Sequence, residues 1–462
     1  MAVDVSRRQF LGRSALVTFG LAAAGLLTSR AKAQTATLPA SPPERPERPA
    51  RSAAPGGPEL PKFDGPVDEV YWRKVRAQFN LVGGLTFLNN GTLGPVSRVV
   101  REIHEQWDTT LSENPTDSFR QAELDAVRKR VAGFVNAAPE EIALTRSTTE
   151  GMNIFAHGLD LNAGDEVILS TLEHFGATDA YKALEKRRGI KIKSIELPPS
   201  LQTVEEIVGA YEQAITPNTR LIVVSHVAYV NGLVLPVKEL TELAHRRKLL
   251  ISVDGAQSFG VLPLDVQEVG LDHYAAPGQK WLLAGTGTGF TFIRKDLQDR
   301  VQPLMGNFDK DNVRGGKPSA RRYEQNGQYN IPAAIGIGTA VDLQLAIGKQ
   351  NIEARARELA SRLRTGLKEI PGVQLLTPAD SRLSANLTTL SIGDLAGQAI
   401  VKALQEREGI VVRSIKSEKI NGIRVSTHLY NTPDEVDRVL KTIRLIAADP
   451  AAFASPNREA HG

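Results

Sequence analysis

The chain has 462 residues, of which 41% are hydrophobic and 23% charged, a composition typical of a globular protein with room for two domains. Its formal net charge is +4, but residues 1–33 carry five basic residues and one acid and so account for the whole excess. The charge therefore gives no indication of a nucleic-acid or membrane partner. The sequence contains no cysteine, which excludes disulfides, thiolate metal sites and thiol nucleophiles. No metal site of another kind is predicted.

The first 33 residues have the three parts of a twin-arginine signal peptide. Residues 6–12 contain the paired arginines, residues 15–27 form a moderately apolar run, and Ala31-Lys32-Ala33 is typical of a cleavage site. The run is too short and too rich in glycine and alanine for stable membrane insertion. We expect the twin-arginine export machinery as a partner, cleavage near Ala33, and a periplasmic or otherwise exported protein. The alternative is a basic, disordered N-terminus.

Composition also divides the rest of the chain. Residues 34–63 are dominated by proline, alanine, glutamate and arginine, which bury too little apolar surface to order a chain, so they are predicted to form a disordered linker. Residues 64–95 are expected to pack with a small C-terminal domain at 326–448. A large domain at 96–325 lies between them, and 449–462 is predicted as a loose tail.

Hydrophobic periodicity predicts strands that alternate with helices along the large domain. This alternation is typical of a mostly parallel sheet covered by helices on both faces. The glycine- and threonine-rich run at 285–289 lacks the lysine of a nucleotide-binding loop and is predicted as a tight turn into an antiparallel strand. Predicted strands cover 86–88, 142–145, 167–170, 190–196, 221–224, 249–253, 290–293, 387–392, 410–414 and 423–426. Predicted helices cover 67–79, 96–111, 123–135, 204–215, 237–248, 333–348, 352–370, 396–408 and 433–447.

An acid and a lysine are the first candidate site residues. Asp254 ends a predicted strand, and Lys280 follows about 26 residues later, near the next strand end; ligands of such sheets bind at the carboxyl ends of the strands. This pair suits pyridoxal phosphate (PLP), since the lysine forms a Schiff base with the aldehyde and the acid keeps the ring nitrogen protonated. A helix cap and a surface lysine are the alternatives.

Further polar residues are expected at the same edge of the sheet. Thr148 and Thr149 open a helix after a strand, where hydroxyl and free backbone N–H groups suit a cofactor phosphate, although a plain capping box explains the same pattern. His174 follows the strand at 167–170 and is suited to stacking on a flat ring or to proton transfer, or is simply a loop residue. His226 follows the strand at 221–224.

Six short motifs follow one another along the sequence in an order that resembles the class V aminotransferase family of fold-type I PLP enzymes. The resemblance covers residues 87–447. This family includes cysteine desulfurases, several lyases and the isopenicillin N epimerase-like proteins, which the chain resembles most. The resemblance implies an α/β fold: a large domain with a mostly parallel sheet flanked by helices, and a smaller C-terminal α+β domain. It also implies a homodimer with active sites at the subunit interface. The motifs are Thr148-Thr149-Glu150-Gly151-Met152-Asn153, Glu173-His174, Ser225-His226-Val227, Asp254-Gly255-Ala256-Gln257, Lys280-Trp281, and Arg424-Val425-Ser426 with Tyr430-Asn431-Thr432.

The resemblance implies a role for each matching residue. Lys280, Asp254 and His174 form the predicted catalytic set: the lysine carries the cofactor and moves protons, the acid pairs with the ring nitrogen, and the imidazole stacks on the ring. Arg424 is expected to bind the α-carboxylate of the substrate through a bidentate contact. The predicted substrate-binding residues are Arg424 and Asn90. The predicted cofactor-binding residues are Thr148, Thr149 (phosphate), His174, His226, Asp254, Gln257 (ring hydroxyl), Gln279, Lys280 and Gln328.

The chain departs from the family pattern at three places. Gly278 and Gln279 precede the lysine, where many members have serine or threonine and histidine. Ala228 and Tyr229 follow Ser-His-Val, where members often have asparagine. The usual Gly-Thr that contacts the phosphate of the other subunit is missing around residues 324–328, where Gln328 is the expected substitute.

The predicted function is that of an exported PLP enzyme acting at Cα or Cβ of an amino acid or a peptide-borne amino acid, with peptide-siderophore tailoring as the expected context. Epimerisation, transamination and elimination, including a C–S β-lyase reaction, stay open. Desulfurases of the family normally pass sulfur to a cysteine, which this chain lacks, so a cysteine-dependent desulfurase is excluded. The changes at 228–229 and 278–279 suggest a different class as an alternative, a non-catalytic periplasmic binding protein that retains the fold.

Overall fold

The computed structural model describes residues 53–115, 120–198, 203–305, 319–325, 327–417 and 420–454. The predicted signal peptide, the linker up to residue 52 and the tail from residue 455 lie outside the described residues. The strands, in chain order, are β1 (Thr86–Phe87), β2 (Ile142–Thr145), β3 (Glu166–Ser170), β4 (Lys191–Ile195), β5 (Thr219–Ser225), β6 (Leu250–Asp254), β7 (His273–Pro277), β8 (Gly289–Ile293), β9 (Val373–Leu375), β10 (Leu387–Ile392), β11 (Ile410–Val411), β12 (Arg413–Lys416) and β13 (Asn421–Ser426).

The helices alternate with these strands along most of the chain. Several begin with a side-chain cap that the sequence provides: Ser97, Thr203 and Thr432 each accept a hydrogen bond from a backbone N–H of the first turn. The helices are α1 (Glu69–Arg76), α2 (Arg98–Glu113), α3 (Gln121–Val135), α4 (Thr148–Gly158), α5 (Phe175–Arg188), α6 (Val204–Ala214), α7 (Val237–Arg246), α8 (Val266–Val269), α9 (Ile331–Ile347), α10 (Lys349–Lys368), α11 (Gly397–Glu408) and α12 (Pro433–Ala448).

A seven-stranded sheet forms the centre of the large unit, in the order β2-β8-β7-β6-β5-β3-β4. The neighbours from β4 to β7 are parallel, and β8 is antiparallel to both β7 and β2. Ile251 and Val253 of β6 are fully buried, because helices cover both faces of a parallel sheet. The predicted α/β class is confirmed, and so is the antiparallel strand after the turn at 285–289.

A smaller antiparallel sheet, in the order β12-β13-β10-β9, forms the C-terminal unit. The apolar sides of α10, α11 and α12 pack on it around a core that includes Leu363, Leu390, Ile423 and Val439, all fully buried. The N-terminal segment reaches this unit, because β1 pairs with β11 in parallel. The predicted division of the chain into an N-terminal segment, a large domain and a small domain stays a prediction.

The last residues of the predicted linker lie within the described part of the chain. Residues 53–63 form no helix or strand, yet Leu60 and Phe63 pack, partly buried, against the main hydrophobic core. Among the described helices, none on its own combines the length and hydropathy of a membrane span; α9 and α10 reach those values only as a pair, and that pair is bent by 77°.

Candidate active site

The carboxyl ends of four neighbouring strands bring four predicted residues to one edge of the large sheet. Asp254 is the last residue of β6 and His226 follows β5, and the His226 backbone N–H donates to the Asp254 carbonyl oxygen at 2.8 Å. His174 follows β3, and Lys280 follows β7. Parallel strands end at the same edge, which explains the convergence. The positive charge of Lys280 acts on both Asp254 and His174.

The segment that carries Lys280 is held rigidly by its neighbour, Trp281. This side chain is fully buried, and its backbone carbonyl oxygen accepts hydrogen bonds from Gln344 Nε2 at 2.7 Å and His428 Nε2 at 2.9 Å. A nucleophile fixed by packing and by a second layer of hydrogen bonds needs little reorganisation before it reacts. The backbone of Lys280 is therefore positioned by residues from two other elements.

The Lys280 amine is easier to deprotonate than an ordinary lysine. Its pKa is lowered to about 8, first because burial disfavours the ammonium and further because Arg424 and Arg413 are near, while Asp254 opposes the shift. The neutral amine is the form that attacks an aldehyde. Near pH 8, a large share of the protein thus has Lys280 in its reactive form.

Asp254 acts on the lysine, and a second buried acid, Glu173, lies close enough to Asp254 for the two charges to interact. Asp254 accepts a hydrogen bond from the Ala256 N–H at 2.8 Å, and burial raises its pKa. Glu173 accepts hydrogen bonds from the hydroxyl groups of Ser170 at 2.7 Å and Ser225 at 2.5 Å, and burial raises its pKa to about 7. A cationic ring nitrogen beside Asp254 would stabilise its charged form. The sequence analysis quoted Glu173 within a motif but gave it no role.

His174 presents a neutral imidazole to the site. Its Nδ1 accepts from the Gly176 N–H at 3.0 Å, which places the ring proton on Nε2. Burial and the positive charge of Lys280 lower its pKa to about 4. The ring meets Tyr229 edge-on, with centroids 4.9 Å apart. The stacking of this uncharged ring on a cofactor stays a prediction.

Arg424 is a buried cation whose hydrogen bonds are all to neutral groups. It is 1% exposed, and it donates from Nη1 to the Tyr229 carbonyl oxygen at 3.0 Å and from Nη2 to Thr92 Oγ1 at 3.4 Å. No acid among the described residues pairs with it, and burial, with the nearby Arg413, lowers its pKa to about 9. Such a guanidinium is suited to binding a carboxylate from solution.

Arg413 is a site residue that the sequence analysis missed. It is directly opposite Arg424 in the pairing of β12 with β13, and its charge acts on Lys280 and His174. The paired position depends on strand register, which the predicted strand at 410–414 did not specify. The two arginines give the site a strongly positive wall.

Gln257 already has two partners inside the protein. Its Oε1 accepts from Trp281 Nε1 at 2.9 Å, and its Nε2 donates to the Gly91 carbonyl oxygen at 2.9 Å. One N–H of the amide is left for the predicted contact with a ring hydroxyl, so that role stays a prediction. A Cβ on Gly91 would lie 2.8 Å from Arg424 Nη2, which explains why a glycine stands there.

The loop that contains Asn90 also touches the lysine segment. Asn90 accepts from the Tyr430 hydroxyl at 3.0 Å, and the Gly94 N–H donates to the Gln279 carbonyl oxygen at 2.8 Å. Asn90 Nδ2 and Gln279 Oε1 are buried without a hydrogen-bond partner in the described part of the chain. Both amides therefore have polar atoms available to a ligand.

The two threonines at the start of α4 do not form the helix cap. The cap is formed by Ser147, whose hydroxyl accepts from the Glu150 N–H at 3.1 Å. Thr148 Oγ1 is buried without a partner among the described residues, and Thr149 is exposed and close to Gly176, at the start of α5. The capping and phosphate-binding interpretations are therefore compatible, since they use different side chains.

Gln328 is not brought to this cluster within one chain. It is exposed and lines a separate cavity of about 280 Å³ together with Arg146 and Thr288. The predicted role of Gln328 concerned the phosphate of another subunit, so it stays a prediction. His226 is buried, and burial lowers its pKa to about 4.

The residues that converge here fit PLP. They supply a reactive amine, a buried acid for the ring nitrogen, a neutral imidazole for the ring face and a helix N-terminus for the phosphate. Buried polar atoms without a partner need an explanation, and a bound ligand would satisfy several of them. Those near the site are Asn90 Nδ2, Thr148 Oγ1, His226 Nδ1, Gln279 Oε1 and Arg424 Nε.

The fold and the site together define a fold-type I PLP-dependent enzyme. The family model "Aminotransferase class-V" matches residues 89–439. The chain therefore belongs to the class V aminotransferase family.

Several known proteins are similar along most of their length. The isopenicillin N epimerase of Amycolatopsis lactamdurans is 32% identical, over 81% of this chain and 98% of that protein. A probable cysteine desulfurase of Methanothermobacter thermautotrophicus is 30% identical, over 76% and 91%. The cystine C–S lyase C-DES, solved with its product cysteine persulfide, is 26% identical over 79% of this chain and 99% of its own, with a TM-score of 0.73. A second C-DES structure has glycine covalently linked to its PLP cofactor.

Proposed function

We propose that this protein is an exported PLP enzyme that acts at Cα or Cβ of an amino acid, free or carried on a peptide. The observation that carries the proposal is the convergence of Lys280 and Asp254 with Arg424, a buried cation that pairs with no acid in the described chain. When bound, PLP withdraws electrons from the bonds at Cα of an amine substrate.

Each site residue of the chain would have its own role in the reaction. Lys280 attaches the cofactor and then takes up or returns a proton at Cα, for which a pKa of about 8 is suitable. Asp254 would accept a hydrogen bond from the ring nitrogen of the cofactor, and His174 would cover one face of the ring. Arg424 and Arg413 hold the substrate carboxylate, so that only a substrate in one orientation presents its Cα bond to Lys280.

The reaction that we favour is epimerisation, supported by the similarity to isopenicillin N epimerase. Transamination stays an alternative. The similarity to a cystine C–S lyase supports β-elimination as the second candidate. Some relatives are named cysteine desulfurases, but this sequence has no cysteine that could accept the sulfur. We therefore do not propose a cysteine-dependent desulfurase.

The cellular setting is proposed from the sequence. The paired arginines at residues 7 and 8 and the small residues at 31–33 support delivery by the twin-arginine machinery to the periplasm. Tailoring of a peptide siderophore is the proposed context. A homodimer is proposed from the family, and the position of Gln328 away from the cluster is compatible with a contact to the other subunit.

The first experiment is the visible spectrum of the purified protein. We expect the absorbance of lysine-linked PLP in the wild type and in Lys402→Ala, an exposed lysine on α11, and its loss in Lys280→Ala. A colourless wild type that PLP does not reconstitute would contradict the proposal and favour a non-catalytic binding protein.

The second experiment separates the reactions. Holoenzyme is incubated with amino acids and short peptides in deuterated buffer, and the products are analysed by mass and chirality. Deuterium at Cα with inversion indicates epimerisation, a 2-oxo acid with aminated cofactor indicates transamination, and release of a thiol or persulfide with ammonia indicates elimination. If a peptide substrate reacts and the matching free amino acid does not, the tailoring context is supported.

A further inference from the structure

A second polar cavity lies apart from the cluster around Lys280. It has a volume of about 320 Å³ and lies between α10, the chain around β9 and residues 231–233. Four side chains of α10 reach it from one helix face, because their spacing of three and four residues places them on the same side. They are Ser361, Arg364, Thr365 and Lys368.

The charged residues known to line this cavity are basic. Among the described residues that line it are Arg364 and Lys368 but no aspartate or glutamate. Arg364 is half-buried and donates from Nη1 to the Ala385 carbonyl oxygen at 3.1 Å and to Thr388 Oγ1 at 3.5 Å. No ion pair joins it to an acid in the described part of the chain. Burial lowers the pKa of Arg364 to about 10, and the positive charge of Arg357 contributes.

Two buried arginines elsewhere in this protein have acidic partners. Arg128 forms ion pairs with Glu324 and Asp125, and Arg355 pairs with Glu69 and Glu358. An unpaired guanidinium in a partly dry place is unfavourable, and a bound anion would relieve the cost. Arg364 shares this unpaired state with Arg424, which faces the active site.

We propose that the cavity binds a small molecule that carries an oxyanion group: a phosphate, a sulfate or a carboxylate. The free N–H groups of Arg364 and the ammonium of Lys368 supply the charge, and the hydroxyls of Ser361 and Thr365 supply neutral donors. A volume of about 320 Å³ exceeds that of a bare ion and matches a small metabolite.

The site borders a loop that also reaches the active site. The Asn231 carbonyl oxygen accepts from Thr377 Oγ1 at 2.6 Å, and both residues line the cavity. Two residues earlier, the Tyr229 carbonyl oxygen accepts from Arg424 at 3.0 Å. An anion in the cavity therefore lies against the loop whose other end positions the proposed carboxylate-binding arginine.

The test is calorimetric titration of PLP-saturated protein with inorganic phosphate, at constant ionic strength. Saturation with PLP fills the cofactor's own phosphate site. We expect saturable binding to the wild type, a Kd about tenfold weaker in Arg364→Gln, and a smaller weakening in Lys368→Gln. Lys441→Gln removes one exposed positive charge from α12 and should leave the Kd unchanged. Parallel titrations with sulfate and malonate identify the oxyanion: equal binding supports a general site, and preference for one supports a selective site.

The outcomes decide the proposal independently of the enzyme's reaction. It is overturned if none of the three anions binds the wild type in the millimolar range, or if Arg364→Gln and Lys368→Gln both bind as tightly as the wild type. Thermal melts verify folding of each variant. If Arg364→Gln does not fold, the exposed Lys368→Gln and the charge-preserving Arg364→Lys decide in its place, with weaker binding expected in the first and retained binding in the second.

Discussion

Replacing Arg424 by methionine should make the cofactor-free protein more stable while strongly weakening substrate binding. Burial lowers the pKa of Arg424 from its ordinary value to about 9, which corresponds to about 5 kcal/mol against the charged form. At pH 7, below both values, the whole of this cost applies. The hydrogen bond to Tyr229 offsets about 1.5–3 kcal/mol, since bonds from charged groups have this strength. Methionine should therefore raise the free energy of unfolding by about 2–3.5 kcal/mol.

Arg355→Met is the matched control. Arg355 is as buried as Arg424, at 1% exposure, but its guanidinium pairs with Glu69 and Glu358. Loss of this paired cation should lower the free energy of unfolding by about 1–3 kcal/mol, less than for a fully buried pair because both acids stay partly hydrated. The same substitution at two equally buried arginines is thus expected to raise the free energy of unfolding at Arg424 and to lower it at Arg355.

Urea unfolding of the cofactor-free proteins, followed by circular dichroism, measures both values. If Arg424→Met is destabilised as much as Arg355→Met, then Arg424 is a structural residue and the reasoning is refuted. In the holoenzyme, Arg424→Met should also lose the spectral change that a substrate amino acid causes. Removing the partner of a buried carboxylate costs about 2–5 kcal/mol, so the apparent affinity should fall about 30-fold or more.

Three further predictions concern the site and the core. The rate at which PLP attaches to the cofactor-free protein should rise with a midpoint near pH 8, the pKa of Lys280; a midpoint near pH 10 in stopped-flow absorbance would contradict it. Gly94→Ala places a Cβ against the Lys280 carbonyl oxygen, so it should lower the free energy of unfolding by about 1–3 kcal/mol. Gly133→Ala, whose Cβ enters open space on α3, should raise the free energy of unfolding by up to about 1 kcal/mol. Three buried histidines have pKa values lowered to about 3 or 4, so they stay neutral in the fold but take up protons on unfolding below pH 6.5. Near pH 5 the three histidines should cost about 4 kcal/mol of stability per pH unit as the pH is lowered, of which the raised pKa of Glu173, about 7, offsets about 1 kcal/mol. Urea midpoints that do not fall as the pH is lowered from 7 to 5 would refute this prediction. The histidines are His226, His273 and His428.

The sequence could indicate Asp254 and His174 because hydrophobic periodicity identifies the strands at whose ends they lie, and Lys280 because of its spacing from Asp254 and the motif Lys280-Trp281. Parallel strands then bring such residues together without any knowledge of side-chain packing. Arg413 and Tyr229 could not be found in this way. Arg413 reaches the site through its register opposite Arg424, and Tyr229 through a loop whose carbonyl oxygen faces that arginine.

The misses in the fold have equally local causes. Strand β9 (Val373–Leu375) has three residues, too few for an alternating pattern. The predicted strand at 410–414 is divided at Val412 into β11 and β12, which join two different sheets. Helix α5 (Phe175–Arg188) was not predicted: it packs against α4 with small buried residues such as Ala177 and Ala180, which give a weak hydrophobic stripe.

The partners of the arginines in this protein indicate which of them stabilise the fold and which are available to a ligand. Arg128 and Arg355 have acids beside them, so their burial is compensated within the chain. Arg424 and Arg364 are held by neutral oxygens alone among the described residues, and folding gains nothing from their charge. A positive charge that the fold keeps at a cost needs a partner from outside the chain. The charge of Arg424 acts on the lysine that would carry the cofactor, so its proposed partner is the substrate carboxylate. Arg364 lines a separate cavity, so its proposed partner is a different anion.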